Sequence, residues 1–78
     1  MMLFVFTNVL KDYTGGMALI AAESLTEALE VAKREYGELA DPSTDYYEKG
    51  WDYPKGAYDL KDGEVTIPMV LHSVWGGG

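Results

Sequence analysis

Seventy-eight residues allow one domain, 1–78, and a composition of 47 % hydrophobic, 13 % aromatic and 24 % charged residues excludes disorder and fibrous repeats. The formal charge is −7, and so acidic a surface repels phosphodiesters, which argues against direct binding to DNA or RNA. With no cysteine there is no disulfide framework, thiolate metal site or thiol nucleophile.

Taken in order, Leu3 to Leu10 is β-branched and aromatic and reads as a strand, with Leu3, Val5 and Val9 on one face and Phe4, Phe6 and Leu10 on the other. Both faces are apolar, so this strand is expected to be central and covered on each side. Lys11 to Gly16 is a turn, and Met17 to Ala22 returns as an antiparallel strand whose Ala18, Ala21 and Ala22 allow a helix to approach closely. Ser24 to Gly37 carries the strongest pattern. Ser24 is an N-cap, Glu27 completes a capping box, and Gly37 is placed to end the helix. Leu25, Ala28, Leu29, Ala32 and Tyr36 form its apolar stripe, and Glu30 is spaced to pair with Arg34.

Glu38 to Gly56 is less regular. Asp41, Pro42 and Gly50 have the spacing of a cap, first turn and stop for a short second helix. Ala57 to Leu60 reads as a third strand, Asp62-Gly63 as a hairpin turn, and Glu64 to Trp75 as a last strand. In that strand Val65, Ile67, Met69, Leu71 and Trp75 share a face, and Thr66, Val70 and His72 share the other. Pro68 cannot donate to a ladder and sets the strand at an edge or bulges it. The expected fold is α+β: an antiparallel β-sheet of order β-β-α-β-β, with one main helix packed on one face.

Catalytic chemistry finds little to work with. His72 is the sole histidine, which rules out a His/Cys metal cluster and leaves a triad only through a serine or threonine. Asp59, Asp62 and Glu64 surround a tight turn and fail the EF-hand spacing, while Asp41, Asp45, Glu48 and Asp52 read as a solvated face. The chain is read as a non-enzyme without cofactor or metal. No apolar run reaches about 18 residues and no leader pattern opens the chain, so no membrane association is expected and the cytoplasm is the expected location.

Residues 35–64 hold nine acidic side chains and three lysines, a balance of −6. Tyr46, Tyr47, Trp51 and Tyr53 are interleaved with Asp45, Glu48 and Asp52. Two readings fit: the rings anchor a partner with a basic surface while the carboxylates steer it, or they fold back as a lid on the sheet. The terminus Trp75, Gly76, Gly77 and Gly78 is either a frayed end or a functional tail.

Asn8 to Met17 (NVLKDYTGGM), together with Val74 to Gly78, resembles small uncharacterised proteins encoded by bacteriophages. The resemblance implies a protein of the anti-CRISPR kind, which acts in the host cytoplasm by binding and blocking a host protein such as a defence effector. Leu60 to Val65 with the terminal glycines is similar to the ending of ubiquitin-like β-grasp sulfur carriers, which implies chemistry at Gly77 and Gly78. Three glycines, Trp75 before them and the aromatic insertion at 41–56 depart from that pattern. A third reading is a virion or self-assembling protein in which the edge strand 64–75 pairs between copies.

Overall fold

The structure is a computed structural model that describes residues 1–61, 63 and 65–77. Asp62, Glu64 and Gly78 lie outside the described residues, and with them part of the expected Asp62-Gly63 turn, the start of the expected last strand and the last residue of the tail.

Four strands, β1 (Met2–Asp12), β2 (Thr14–Ala22), β3 (Gly56–Asp59) and β4 (Met69–Val74), form one sheet in the order β3-β1-β2-β4. Every neighbouring pair is antiparallel, and the helix α1 (Leu25–Tyr36) follows directly from the β1–β2 hairpin. The α+β arrangement expected from the sequence is the one observed.

One face of the sheet carries Phe4, Phe6, Ala18, Ile20 and Ala22, and all are buried beneath α1. The helix turns Ala28, Val31 and Ala32 inward, leaves Leu29 and Tyr36 half-buried, and exposes Leu25. The inward stripe is therefore rotated from the expected one. Ala28, Val31 and Ala32 are buried in one core with Ala18 and Ala22, small side chains that let a helix lie close to the sheet. Ser24 Oγ accepts the Glu27 amide at 3.2 Å, but the Glu27 carboxylate reaches the Glu23 amide, not that of Ser24. Gly37, at φ 60°, donates its amide to the Lys33 carbonyl and closes the helix. Arg34 pairs with Glu35 at 3.7 Å, in place of the expected Glu30 partner.

Two irregularities decide which side chains face which layer. The β1–β2 register shifts between Thr7 and Val9, where Asn8 has φ 59°. Val9 is thereby paired with Gly16 and buried with Leu10, although alternation had assigned Val9 to the opposite face. In β4 the register shifts between the partners of Leu19 and Ile20: Val70 pairs with Ile20 on the helix side, and His72 pairs with Leu19 on the other. The expected grouping of Val70 with His72 is broken by one inserted residue. β4 starts only after Pro68 and runs along an edge.

No second helix spans 41–50. Asp41 takes the amide and hydroxyl of Ser43 in a tight turn, and 3₁₀ turns occupy Gly37–Ala40 and Lys49–Asp52. A side chain that binds its own downstream backbone competes with helix propagation, and the proline at 42 does not overcome it. These bonds to Ser43, and then Lys33 at 3.6 Å, hold the Asp41 carboxyl below its usual range.

Candidate functional site

The segment 41–55 is fixed from beneath. β3 pairs with β1 only from Met2 to Val5, so the outer edge of β1 beyond Val5 needs other partners. Lys55 donates its amide to the Val5 carbonyl, and Gly50 packs against the carbonyls of Thr7 and Asn8 so tightly that a Cβ there would lie 2.6 Å from both oxygens. Glu48 completes the seal. Its carboxylate is buried and accepts the amides of Leu10 and Lys11, each at 2.8 Å, and the Trp51 indole N–H at 3.3 Å. Leu10 has φ 53°, an uncommon conformation for a branched residue. The left-handed turn makes two consecutive amides converge, and the carboxylate occupies the concavity as a bound anion would.

Trp51 is wholly buried, 5.0 Å from the Phe6 ring and stacked at 5.7 Å on Tyr36. Tyr36 in turn meets Trp75 edge-on at 6.1 Å. Trp51 and Glu48 are therefore part of the core, which corrects their assignment to a partner-binding surface. A ring of that size fills the space between Phe6 and Tyr36, and its N–H finds the buried Glu48 carboxylate.

The remaining expected surface residues separate into three places. Tyr47 and Asp52 line a groove of about 300 Å³ between α1 and the 41–52 segment. Leu29, Ala40 and Pro42 make its lining largely apolar, and Glu30, Lys33 and Thr26 complete it. The Tyr47 hydroxyl donates to Asp52 Oδ1. Tyr53, 77 % exposed, borders a second hollow of about 500 Å³ with Lys49, Lys55 and Asn8, so its surroundings are basic. Tyr46, 67 % exposed, and Asp45 stand out on the intervening turn. The continuous acidic and aromatic surface read from the sequence is thus divided. The groove keeps one ring and one carboxylate of it, Tyr47 and Asp52, and Leu29, Glu30, Lys33 and Pro42 join them because helix and loop come together. Leu29 and Glu30 were legible only as core and solvent positions of one helix.

Burial, and then the hydrogen bond to Asp52, push the Tyr47 hydroxyl up to about 12. A raised value means that the stabilisation is complete below the ordinary tyrosine pKa of about 10 and is lost as pH rises through the folded value. In an alkaline titration followed by tyrosinate absorbance, one of the six tyrosines is expected to ionise late, near pH 12. Tyr47→Phe should remove that late step and leave the others unchanged.

The tail is held down. The Gly76 amide donates to the Leu10 carbonyl at 3.0 Å, and the Thr14 hydroxyl bonds both the amide and the carbonyl of Gly77. A Cβ at Gly76 would collide with the Thr14 carbonyl, and one at Gly16 with the Val74 carbonyl. Gly16 and Gly76 thus permit a backbone approach that no side chain allows. His72 is exposed on the sheet face away from α1, and among the described residues no group of three or more His, Asp or Glu side chains could hold a metal ion. None of the described helices is long and apolar enough to cross a membrane.

No protein-family model matches the chain, and no curated protein or solved structure matches it.

Proposed function

We propose that this is a non-enzymatic binding protein that receives a basic, partly apolar segment of another protein in the groove between α1 and residues 41–52. The observation that carries the reading is the groove's composition: apolar Leu29, Ala40 and Pro42 together with Glu30, Asp52 and the Tyr47 hydroxyl, while the one lysine of its lining, Lys33, is paired with Asp41 at 3.6 Å. A lysine or arginine lays its aliphatic stem on such a lining and its charged head on the carboxylates. The clasp at Glu48 and the buried Trp51 fix the loop wall in advance, so little ordering is required on binding. The chain's charge of −7 steers a cationic partner toward the site.

The resemblance to small bacteriophage proteins supplies the biological setting. The partner class is a host protein with a nucleic-acid-binding, hence basic, surface, as in a bacterial defence effector, and occupancy of that surface blocks it. Tyr46 and Asp45 extend the contact as exposed flank. The carrier reading requires a tail free to enter an activating enzyme, whereas Gly76 and Gly77 are bonded to the hairpin.

The experiment is affinity capture from bacterial lysate with wild type and a Glu30→Lys/Asp52→Lys pair, both checked for an unchanged melting midpoint. Capture of a basic protein by the wild type is expected, with at least about a hundredfold loss in the variant, from two charge-assisted contacts worth about 1.5–3 kcal/mol each. Equal capture by both proteins would remove the groove from the proposal.

A further inference from the structure

The charged side chains of residues 48–55 are sorted by their contacts. Glu48 is buried on the amides of Leu10 and Lys11, and Asp52 accepts the Tyr47 hydroxyl in the groove beside α1. Lys49 and Lys55 instead line the hollow of about 500 Å³, together with Thr7, Asn8, Tyr53 and Pro54. Among the described residues no carboxylate lines this hollow, and neither lysine belongs to an ion pair. In a chain with thirteen acidic and six basic residues, two lysines in one concavity without a carboxylate are an exception that the fold has arranged.

The hollow is also held in shape. The Lys55 amide donates to the Val5 carbonyl at 2.6 Å, and Lys49 opens the 3₁₀ turn Lys49–Asp52, whose Gly50 is pressed onto the Thr7 and Asn8 carbonyls. Gly50 thereby covers two carbonyl dipoles that would repel an anion. Thr7 and Asn8 add a hydroxyl and a side-chain amide that can donate, and the largely exposed Tyr53 adds a ring.

We infer that this hollow binds a small phosphomonoester whose body is a planar ring, the chemistry of a mononucleotide. Two lysines without a carboxylate select an anion. A phosphomonoester, with about 1.5–2 negative charges at pH 7, matches two ammonium groups better than a carboxylate does. The volume falls within the range of small-molecule sites, and the Tyr53 ring can stack on a flat heterocycle. The chain's charge of −7 opposes a long polyanion. At physiological salt, however, charges are screened beyond about 8 Å, so a single phosphate responds chiefly to the two lysines beside it. The hollow shares no lining residue with the α1 groove, so its ligand is independent of the groove's partner.

Titration of the intact chain with adenosine monophosphate, followed by backbone amide shifts in NMR spectra, tests this. The expected result is saturating shifts at Asn8, Gly50 and Lys55, with a dissociation constant below about 1 mM. Adenosine and inorganic phosphate, each carrying one part of the ligand, should bind at least about fivefold more weakly. Lys49→Gln/Lys55→Gln should weaken binding of the nucleotide at least about tenfold, and Tyr53→Ala at least about fivefold. Lys11→Gln/Arg34→Gln removes the same charge elsewhere and should change the affinity less than about twofold. All five substituted side chains are exposed, and the rest of each spectrum reports whether the fold is intact. No saturating shift up to about 5 mM nucleotide overturns the inference. So does adenosine or inorganic phosphate binding as tightly as the nucleotide, or an equal loss in the Lys11/Arg34 and Lys49/Lys55 variants.

Discussion

Trp51→Ala is expected to destabilise the protein by about 3–5 kcal/mol. The indole is sealed between Phe6 and Tyr36, and Tyr36 leans on Trp75, so removing it opens a void bordered by sheet, helix and tail at once. A domain of 78 residues has a total stability of about 4–12 kcal/mol, so the loss takes a large share of it. Urea unfolding followed by circular dichroism measures the change. A loss below about 1 kcal/mol would mean that the indole is not sealed in the core. The same measurement separates the core role from a surface role, since an exposed anchor could be truncated at almost no cost in stability.

The second expected result concerns Glu48. Glu48→Ala should cost about 3–5 kcal/mol, because the buried amide of Leu10, that of Lys11 and the Trp51 N–H all lose their acceptor together. Glu48→Gln should cost less, about 1.5–3 kcal/mol, because the amide oxygen can still accept one bond while its NH₂ group faces another donor. The ordering of the two variants is the informative quantity. If the carboxylate only covered apolar surface, Gln would behave as wild type. The clasp also holds Leu10 at φ 53°, a conformation of order 1–3 kcal/mol above the ordinary one. In Glu48→Ala the hydrogen exchange of the Leu10 and Lys11 amides should accelerate more than that of Phe4 or Ile20. Uniform acceleration would show that the clasp and the sheet open as one unit.

Both results bear on the groove. Tyr47 and Asp52 flank the two anchored residues, so the groove's outer wall is only as firm as the Glu48 and Trp51 contacts beneath it. Neither substitution therefore suits a test of partner binding, and Glu30 and Asp52, whose side chains line the groove, do.

Local signals were sufficient for much of the architecture. A capping serine, a helical apolar repeat and a terminating glycine mark Ser24–Gly37 because helix formation depends on neighbours three and four residues apart. The β1–β2 hairpin is legible for the same reason: two apolar runs separated by a short polar link can only return antiparallel. What failed was parity. A bulge at Asn8 and another at Leu71 each move later side chains to the opposite face, and no residue type announces them. The segment 41–55 was ambiguous in sequence because tyrosine, tryptophan and glutamate serve a surface and an interior equally well once a partner for their polar ends exists.

By itself the sequence determined a small acidic α+β domain with one capped helix and a hairpin, all consequences of short-range patterning. Only the tertiary structure decided that Glu48 and Trp51 turn inward while Tyr46 and Tyr53 turn out. The reason is distance along the chain. The Glu48 clasp joins residues 38 apart and the Thr14 link to the tail joins residues 63 apart. Whether a carboxylate lies in water or in a nest of amides is settled only when such remote backbone arrives beside it.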